Sequence, residues 1–189
     1  MRKVEKAAST ILAPVPVVLV SCEAPGFRRN IITLAWVGNV CSAPPLVSIS
    51  IRPERYSYAI IRESKEFVIN VPSSAMLRVT DYCGVVSGRD VDKFNQTGLT
   101  AISASLVKAP LIEEAPLNIE CRLKQVIPLG VHDLFIAEVL LAHVNEDCLN
   151  EKEQPDLEKM QGVVYGNGNY YRVERSLGYH GYSQRQPKG

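Results

Sequence analysis

Apolar and polar residues alternate with a period of two along several stretches of this 189-residue chain. In LVSISI (46–51), Val47, Ile49 and Ile51 fall on one side and Ser48 and Ser50 on the other, the pattern of a strand with one buried face. VPVVLVSC (15–22) is rich in β-branched residues and runs into the turn signal APGF. NIITLAW (30–36) precedes the breaker SAPP, and EFVINV (66–71) is closed by Pro72. Two longer segments follow. In LNIECRLKQVI (117–127), Ile119, Cys121 and Leu123 alternate with Asn118, Glu120, Arg122 and Lys124. DLFIAEVLLAHV (133–144) is apolar on nearly both faces, as in a barrel strand or one under a subunit interface.

The helical signals are short. Ser57 stands where it can cap a helix carrying Ala59, Ile60 and Ile61, and Ser73 or Ser74 can open another through MLRVTDYC toward Gly84. Residues 95–115 read as a loop, 145–161 as an exposed polar excursion, and the chain closes in an aromatic, Gly-rich stretch. No repeat of 20–50 residues, no GxGxxG after the first strand and no P-loop is present. Many strands with few short helices predict a closed or nearly closed antiparallel β-barrel, in one domain spanning 1–189 with its core at about 10–183.

Composition narrows the function. A hydrophobic fraction of 46% supports a real core, and a net charge of +1 without a basic arm argues against nucleic acid as partner. The longest apolar runs fall far below the ~20 residues of a spanning helix, and MRKVEKAASTIL makes a poor signal peptide, so no membrane is expected and a cytoplasmic location is. Five scattered cysteines without a CxxC, and three separated histidines, favour reduced thiols and no metal site.

Candidate chemistry lies in four places. Ser57 either merely caps its helix or offers, with Arg52 nearby, a phosphate site where helix N–H groups and dipole favour an anion. Trp36, the sole tryptophan, is either core or one wall for a planar ligand. His132 either ends a strand or positions a reactive group. In SGRDVDKF (87–94), Arg89 and Lys93 would share a face if VDKF forms a helical turn. They then hold an anion, or they are neutralised by Asp90 and Asp92.

Taken in order, PVPVVLVS, NIITLAW, PPLVSISIRPERYSYAIIRESKEFVINVP, SGRDVDKFNQTGLT, PLNIECRL, GVHDLFIAEV and YYRVERSLGYHGYS resemble the flavin reductase-like, or flavoredoxin, family. The resemblance implies a mostly β, antiparallel FMN-binding split barrel of Greek-key type with a few short helices, working as a homodimer with flavin near the subunit interface. By it Asn30, Ile31, Ile32, Thr33 and Trp36 line the flavin ring. Ser48, Ser50 and Arg52 run beneath the ribityl chain, with Ile49 and Ile51 contributing backbone N–H groups. Tyr56, Ser57, Ser87, Gly88, Arg89 and Lys93 close on the phosphate, and His132 stands near the nicotinamide. The implied activity is an NAD(P)H-dependent flavin or ferric reductase, in which NADH or NADPH reduces FMN and a small molecule or protein accepts the electrons. The alternatives are a flavoredoxin-type carrier without direct NAD(P)H turnover and a non-catalytic ligand-binding barrel. Val131 replaces an acidic residue common before this histidine, and Ala137 a common glycine; both departures bear on pyridine-nucleotide use more than on flavin.

Overall fold

In the computed structural model, residues 1–184 are described. Twelve strands form: β1 (Val15–Pro16), β2 (Val18–Cys22), β3 (Asn30–Leu34), β4 (Val37–Ser42), β5 (Pro45–Ile51), β6 (Glu66–Val71), β7 (Ala101–Ile102), β8 (Leu111–Ile112), β9 (Leu117–Pro128), β10 (Asp133–Val144), β11 (Val163–Gly166) and β12 (Asn169–Arg172). Three α-helices join them: α1 (Tyr56–Ser64), α2 (Leu77–Val85) and α3 (Lys93–Thr97). Seven strands make one antiparallel sheet in the order β3-β2-β6-β9-β10-β5-β4. Its two edges, β3 and β4, are consecutive in the chain and separated only by Ala35 and Trp36. The sheet must therefore curl until these edges approach each other, and Ser50 N–H bonds the Trp36 carbonyl, 2.9 Å away, carrying the β4–β5 ladder one residue further. This is a mostly β, antiparallel split barrel with a few short helices.

The predicted alternation holds inside it. Val18, Val20 and Cys22, then Val47, Ile49 and Ile51, point into the barrel with Phe67, Ile69, Cys121, Phe135 and Ala137, while α1 plugs it with Ile60 and Ile61. The opposite faces of β2 and β3 send Leu19 and Ile31 into a second cluster with Cys83 of α2 and Phe94 of α3. Expectations fail in four local details. NIITLAW ends at Leu34, and a separate strand, β4, follows. VPVVLVSC breaks at Val17, so that its first two residues pair with β11 instead of the barrel. The supposed loop at 95–115 holds the end of α3 and the β7–β8 pair. The excursion at 145–161 is mostly exposed but anchors itself by burying Cys148 and Met160.

The polar side of β9 is also not a wet one. Glu120 is fully buried beneath the segment before β8, accepting the N–H groups of Ser105, Leu106 and Val107 at 2.7–3.0 Å and meeting His143 Nε2 at 2.6 Å. Next to it, Asn70 donates to Leu19 O and Ser21 Oγ and accepts from Ile112 N and Asn118 Nδ2, so this buried polar strip is paired throughout. Burial pushes the Glu120 carboxyl up, but the His143 bond and the three backbone donors together outweigh it and hold the group below its ordinary value. Because its pKa is depressed on folding, Glu120 contributes stability above the usual carboxylate range and loses it as pH falls through the folded value. Glu120→Ala strands three buried N–H groups and is expected to cost about 3 kcal/mol or more in urea unfolding at neutral pH, with a shallower acid limb than the parent protein.

Candidate functional site

Two cavities meet along the outside of the barrel seam, and three residues, Ile32, Arg55 and Gly84, line both. The wider one, 380 Å³, has Thr33, Leu34 and Trp36 from the β3–β4 junction, Ser50, Ile51 and Arg52 from the end of β5, and His132 from the turn before β10. Trp36 is 44% exposed, so it is no core residue. Its ring lies 4.3 Å from that of His132, tilted by 48°. Arg52 Nε donates to His132 Nε2 at 3.4 Å, and burial together with the Arg52 charge lowers the imidazole pKa. His132 is thus a neutral acceptor on that nitrogen at pH 7. Asp133 cannot substitute for the missing acid before His132, because its carboxylate is buried and accepts the Tyr58 hydroxyl at 2.6 Å.

The narrower cavity, 240 Å³, sits at the start of α1, between Glu54–Ser57 and the turn Ser87–Arg89. Ser57 does not cap the helix. Arg55 holds the cap position without a side-chain bond, and the buried Ser57 hydroxyl accepts from Asn30 Nδ2 at 2.8 Å, tying β3 to α1. The first N–H groups of α1 therefore face this cavity uncapped by any side chain. Arg89 comes from the turn and Lys93 from the first residue of α3, so the two share a cavity but no helix face. Asp92 is spent as the α3 cap, accepting from Asn95 N and Asn95 Nδ2. Arg89 Nη1 donates to the Glu54 carbonyl at 2.6 Å, with its guanidinium 5.9 Å above the Tyr56 ring. Lys93 is 2% exposed and donates to the carbonyls of Ile31 and Cys83, both at 2.7 Å, which leaves one ammonium proton unassigned. Gly88 must be glycine: a Cβ there would lie 2.1 Å from Asn30 Oδ1. Three cations at the positive end of a helix repel one another and its dipole, an arrangement that an anion would relieve.

Most of the expected residues gather here, with exceptions. Arg52 is at the His132 end and not in the narrow cavity; Arg55, which the motif reading passed over, stands between the two. The side chains of Ile31 and Ile49 lie wholly in the cores, which leaves only their backbone for a ligand. Ser48 faces a neighbouring 790 Å³ cavity bounded by residues 9–13, shared with Ser50 and Trp36. Asp81 of α2 and Tyr165, Gly168 and Tyr170 of the β11–β12 hairpin complete the wide cavity, and none of them was anticipated. The Asn167-Gly168 pair, with φ of 51° and 82°, was the readable signal for that hairpin. The buried thiols are not nucleophiles: burial raises Cys22 and Cys121 to about 12 and Cys83 to about 11. Among the described residues no cluster of three His, Cys, Asp or Glu could hold a metal, and no helix is long and apolar enough to cross a membrane.

The fold and site are thus a split barrel in which a cationic, uncapped helix end opens beside an aromatic slot. A family model described as flavin reductase like domain matches residues 12–174, and the chain belongs to that family. Flavoredoxin of Desulfovibrio vulgaris (Miyazaki F) superposes with a TM-score of 0.92 at 35% identity, covering 97% of this chain and 100% of that one. A flavoredoxin from Methanosarcina acetivorans gives 0.89 at 29%, covering 98% and 100%. An uncharacterized protein of Archaeoglobus fulgidus is 33% identical over 69% of this chain and 72% of its own length. An NADPH-flavin oxidoreductase of Streptomyces viridifaciens is 32% identical over 57% of this chain and 56% of its own.

Burial pulls the Lys93 ammonium down from 10.5 to about 8. Between those values Lys93 holds more protons in the unfolded chain than in the folded one, so its own contribution to ligand-free stability rises with pH there, and below about 8 the protein carries the whole cost of the buried charge. The raised Cys22, Cys83 and Cys121 thiols act in the opposite sense as pH rises above their ordinary range, so Lys93 is read by comparison: in urea unfolding of the ligand-free proteins, the parent is expected to gain stability relative to Lys93→Met between pH 8 and 10.5.

Proposed function

We propose that the protein is an FMN-binding oxidoreductase, with the flavin phosphate in the narrow cavity and the ring along the wide one. The observation that carries this is the continuity of the two cavities through Ile32, Arg55 and Gly84, with an anion cradle at one end and the Trp36–His132 slot at the other. The donor set fits FMN. Backbone N–H groups at the start of α1 and around Gly88, with Arg89 and the remaining Lys93 proton, suit a terminal phosphate dianion. Ser50 and Arg55 offer polar groups along the way, and the β3 backbone suits the polar edge of the ring. FMN, when bound, supplies the uptake and release of electrons, which no side chain here can provide. Trp36 walls the ring, and neutral His132, kept an acceptor at Nε2 by Arg52, orients a nicotinamide or another planar donor.

NADH or NADPH is the reductant in this reading, and a small molecule or a redox protein the acceptor. A second reading, a flavoredoxin-type carrier that does not turn over pyridine nucleotide, is favoured by the two flavoredoxins that align over nearly the whole chain and by the engagement of Asp133 with Tyr58. Purified protein titrated with FMN is expected to bind it and quench its fluorescence. Ser57→Ala and Lys93→Met each weaken binding by about 1–3 kcal/mol, and affinity falls as pH rises above about 8 in the parent but not in Lys93→Met. A protein that takes up no FMN overturns the proposal. Anaerobic addition of NADH or NADPH bleaches the loaded protein if it is a reductase and leaves it yellow if it is a carrier.

The protein is also proposed to work as a homodimer. The large cavity beside Trp36, together with Ile11, Leu12 and Val40 exposed at 62%, 85% and 51%, supports this. Light scattering is expected to return twice the mass of one chain, and a monomer at micromolar concentration sinks the idea.

A further inference from the structure

The β11–β12 hairpin belongs to a small sheet with β1 and not to the barrel, yet it forms the outer wall of the wide cavity. Tyr165 and Tyr170, cross-strand partners in a T-shaped pair 5.4 Å apart, and Gly168 at the turn face the cavity from the side away from the barrel strands. At its base the hairpin is tied to the chain before α2 by the Ser73–Gly162 bridge and the Ser74 N–H bond to the Gln161 carbonyl. Toward its tip one hydrogen bond among the described residues joins it to α2: Tyr170 OH donates to Asp81 Oδ1 at 3.0 Å. Burial and the neighbouring Asp81 charge push the Tyr170 hydroxyl up to about 12, so it stays a donor at any physiological pH. The two-residue turn, with both central φ values positive, makes the hairpin stiff. Its inner strand is already held by β1 through the Val15–Tyr165 and Pro16–Val164 pairs, so the outer strand β12 is the part that the Tyr170–Asp81 bond latches to α2.

We propose that Tyr170, latched by Asp81, is a specificity-determining residue. It holds the hairpin as a fixed wall and limits the room left beside the flavin ring to small planar redox molecules, excluding bulkier ones. The inference rests on the flavin reading of that cavity and names what shares it with the cofactor. The aromatic faces of Trp36 and His132 lie in the same cavity as Tyr165 and Tyr170, which suits a flat quinone- or nicotinamide-like molecule.

The test uses the full chain and Tyr170→Phe, which keeps the ring and loses the latch, beside Tyr170→Ala, which also opens the wall. FMN affinity is measured first. Amide hydrogen exchange is then followed across 163–172, and FMN-loaded protein reduced with dithionite is mixed with 1,4-benzoquinone or with a naphthoquinone bearing a bulky side chain. In that step the reduced flavin gives two electrons and two protons to the quinone, which leaves as hydroquinone. In Tyr170→Phe, hairpin exchange is expected to accelerate at least tenfold, and in FMN-saturated protein the rate ratio of bulky to small quinone is expected to rise at least threefold. Tyr170→Ala is expected to raise that ratio at least tenfold. An unchanged ratio in Tyr170→Phe, or equal changes with both quinones, overturns the latch as a specificity device while FMN binding stands. Failure of the parent protein to bind FMN overturns the functional reading and this inference with it.

Discussion

Closure of the barrel rests on a connectivity constraint. The strands at the two edges of the seven-stranded sheet are neighbours in sequence, joined by Ala35 and Trp36 alone. Two residues span only about 7 Å, so the sheet has to curl until its first and last strands come together at this point, although they do not pair with each other. The curl surrounds the core of Phe67, Phe135 and Ile49 and leaves Trp36 at the seam, where no strand covers it. The cavity beside the seam thus follows from how the sheet closes, and the only tryptophan is displayed there because the chain must change partner strands at that point.

The second end of the site depends on the helix that plugs the barrel. Ile60 and Ile61 draw α1 inward, which leaves its N-terminus at the surface beside the start of β3. The Asn30–Ser57 bond fixes that approach. The turn at Ser87–Arg89 can pass over it only because Gly88 has no side chain to strike Asn30. Lys93 is then trapped beneath, bracing the carbonyls of β3 and α2. Its charge is costly there, and this cost gives a ligand phosphate something to relieve. The same lysine is a structural strut and, in the proposed reading, an anion partner as well, and the charge-bearing turn that precedes it is shaped by Asp92 as a helix cap and not as a counter-ion for Arg89.

Much of this was legible from residue patterns. Alternation in LVSISI placed Val47, Ile49 and Ile51 inside, β10 was delimited at both ends, and the order of weak motifs pointed to a split barrel and to the residues around Ser57, Arg89 and Lys93. Where polar residues are concerned, the limit has one cause. Side-chain polarity reports whether a residue tolerates water, not whether a neighbouring segment will cover it. Asn118 and Glu120 carry the polar side of an alternating strand, but the chain before β9 folds over them and supplies their hydrogen bonds. Ser57 has the chemistry of a cap, but the amide of Asn30 from a distant strand claims its hydroxyl.

The local code of this protein therefore determined six of the main strand segments, the first two helices and the inventory of groups available for a phosphate and a planar ring. Period-two patterning and cap chemistry act over a few residues and survive in any fold. The tertiary structure alone decided which of those groups converge. Arg52 turns to His132 while Arg55 takes the place between the cavities, and a hairpin from the far end of the chain closes the wall opposite Trp36 through a bond between Asp81 and Tyr170. Such pairings join residues up to 89 positions apart, and their geometry is set by sheet closure and packing, which no local pattern encodes.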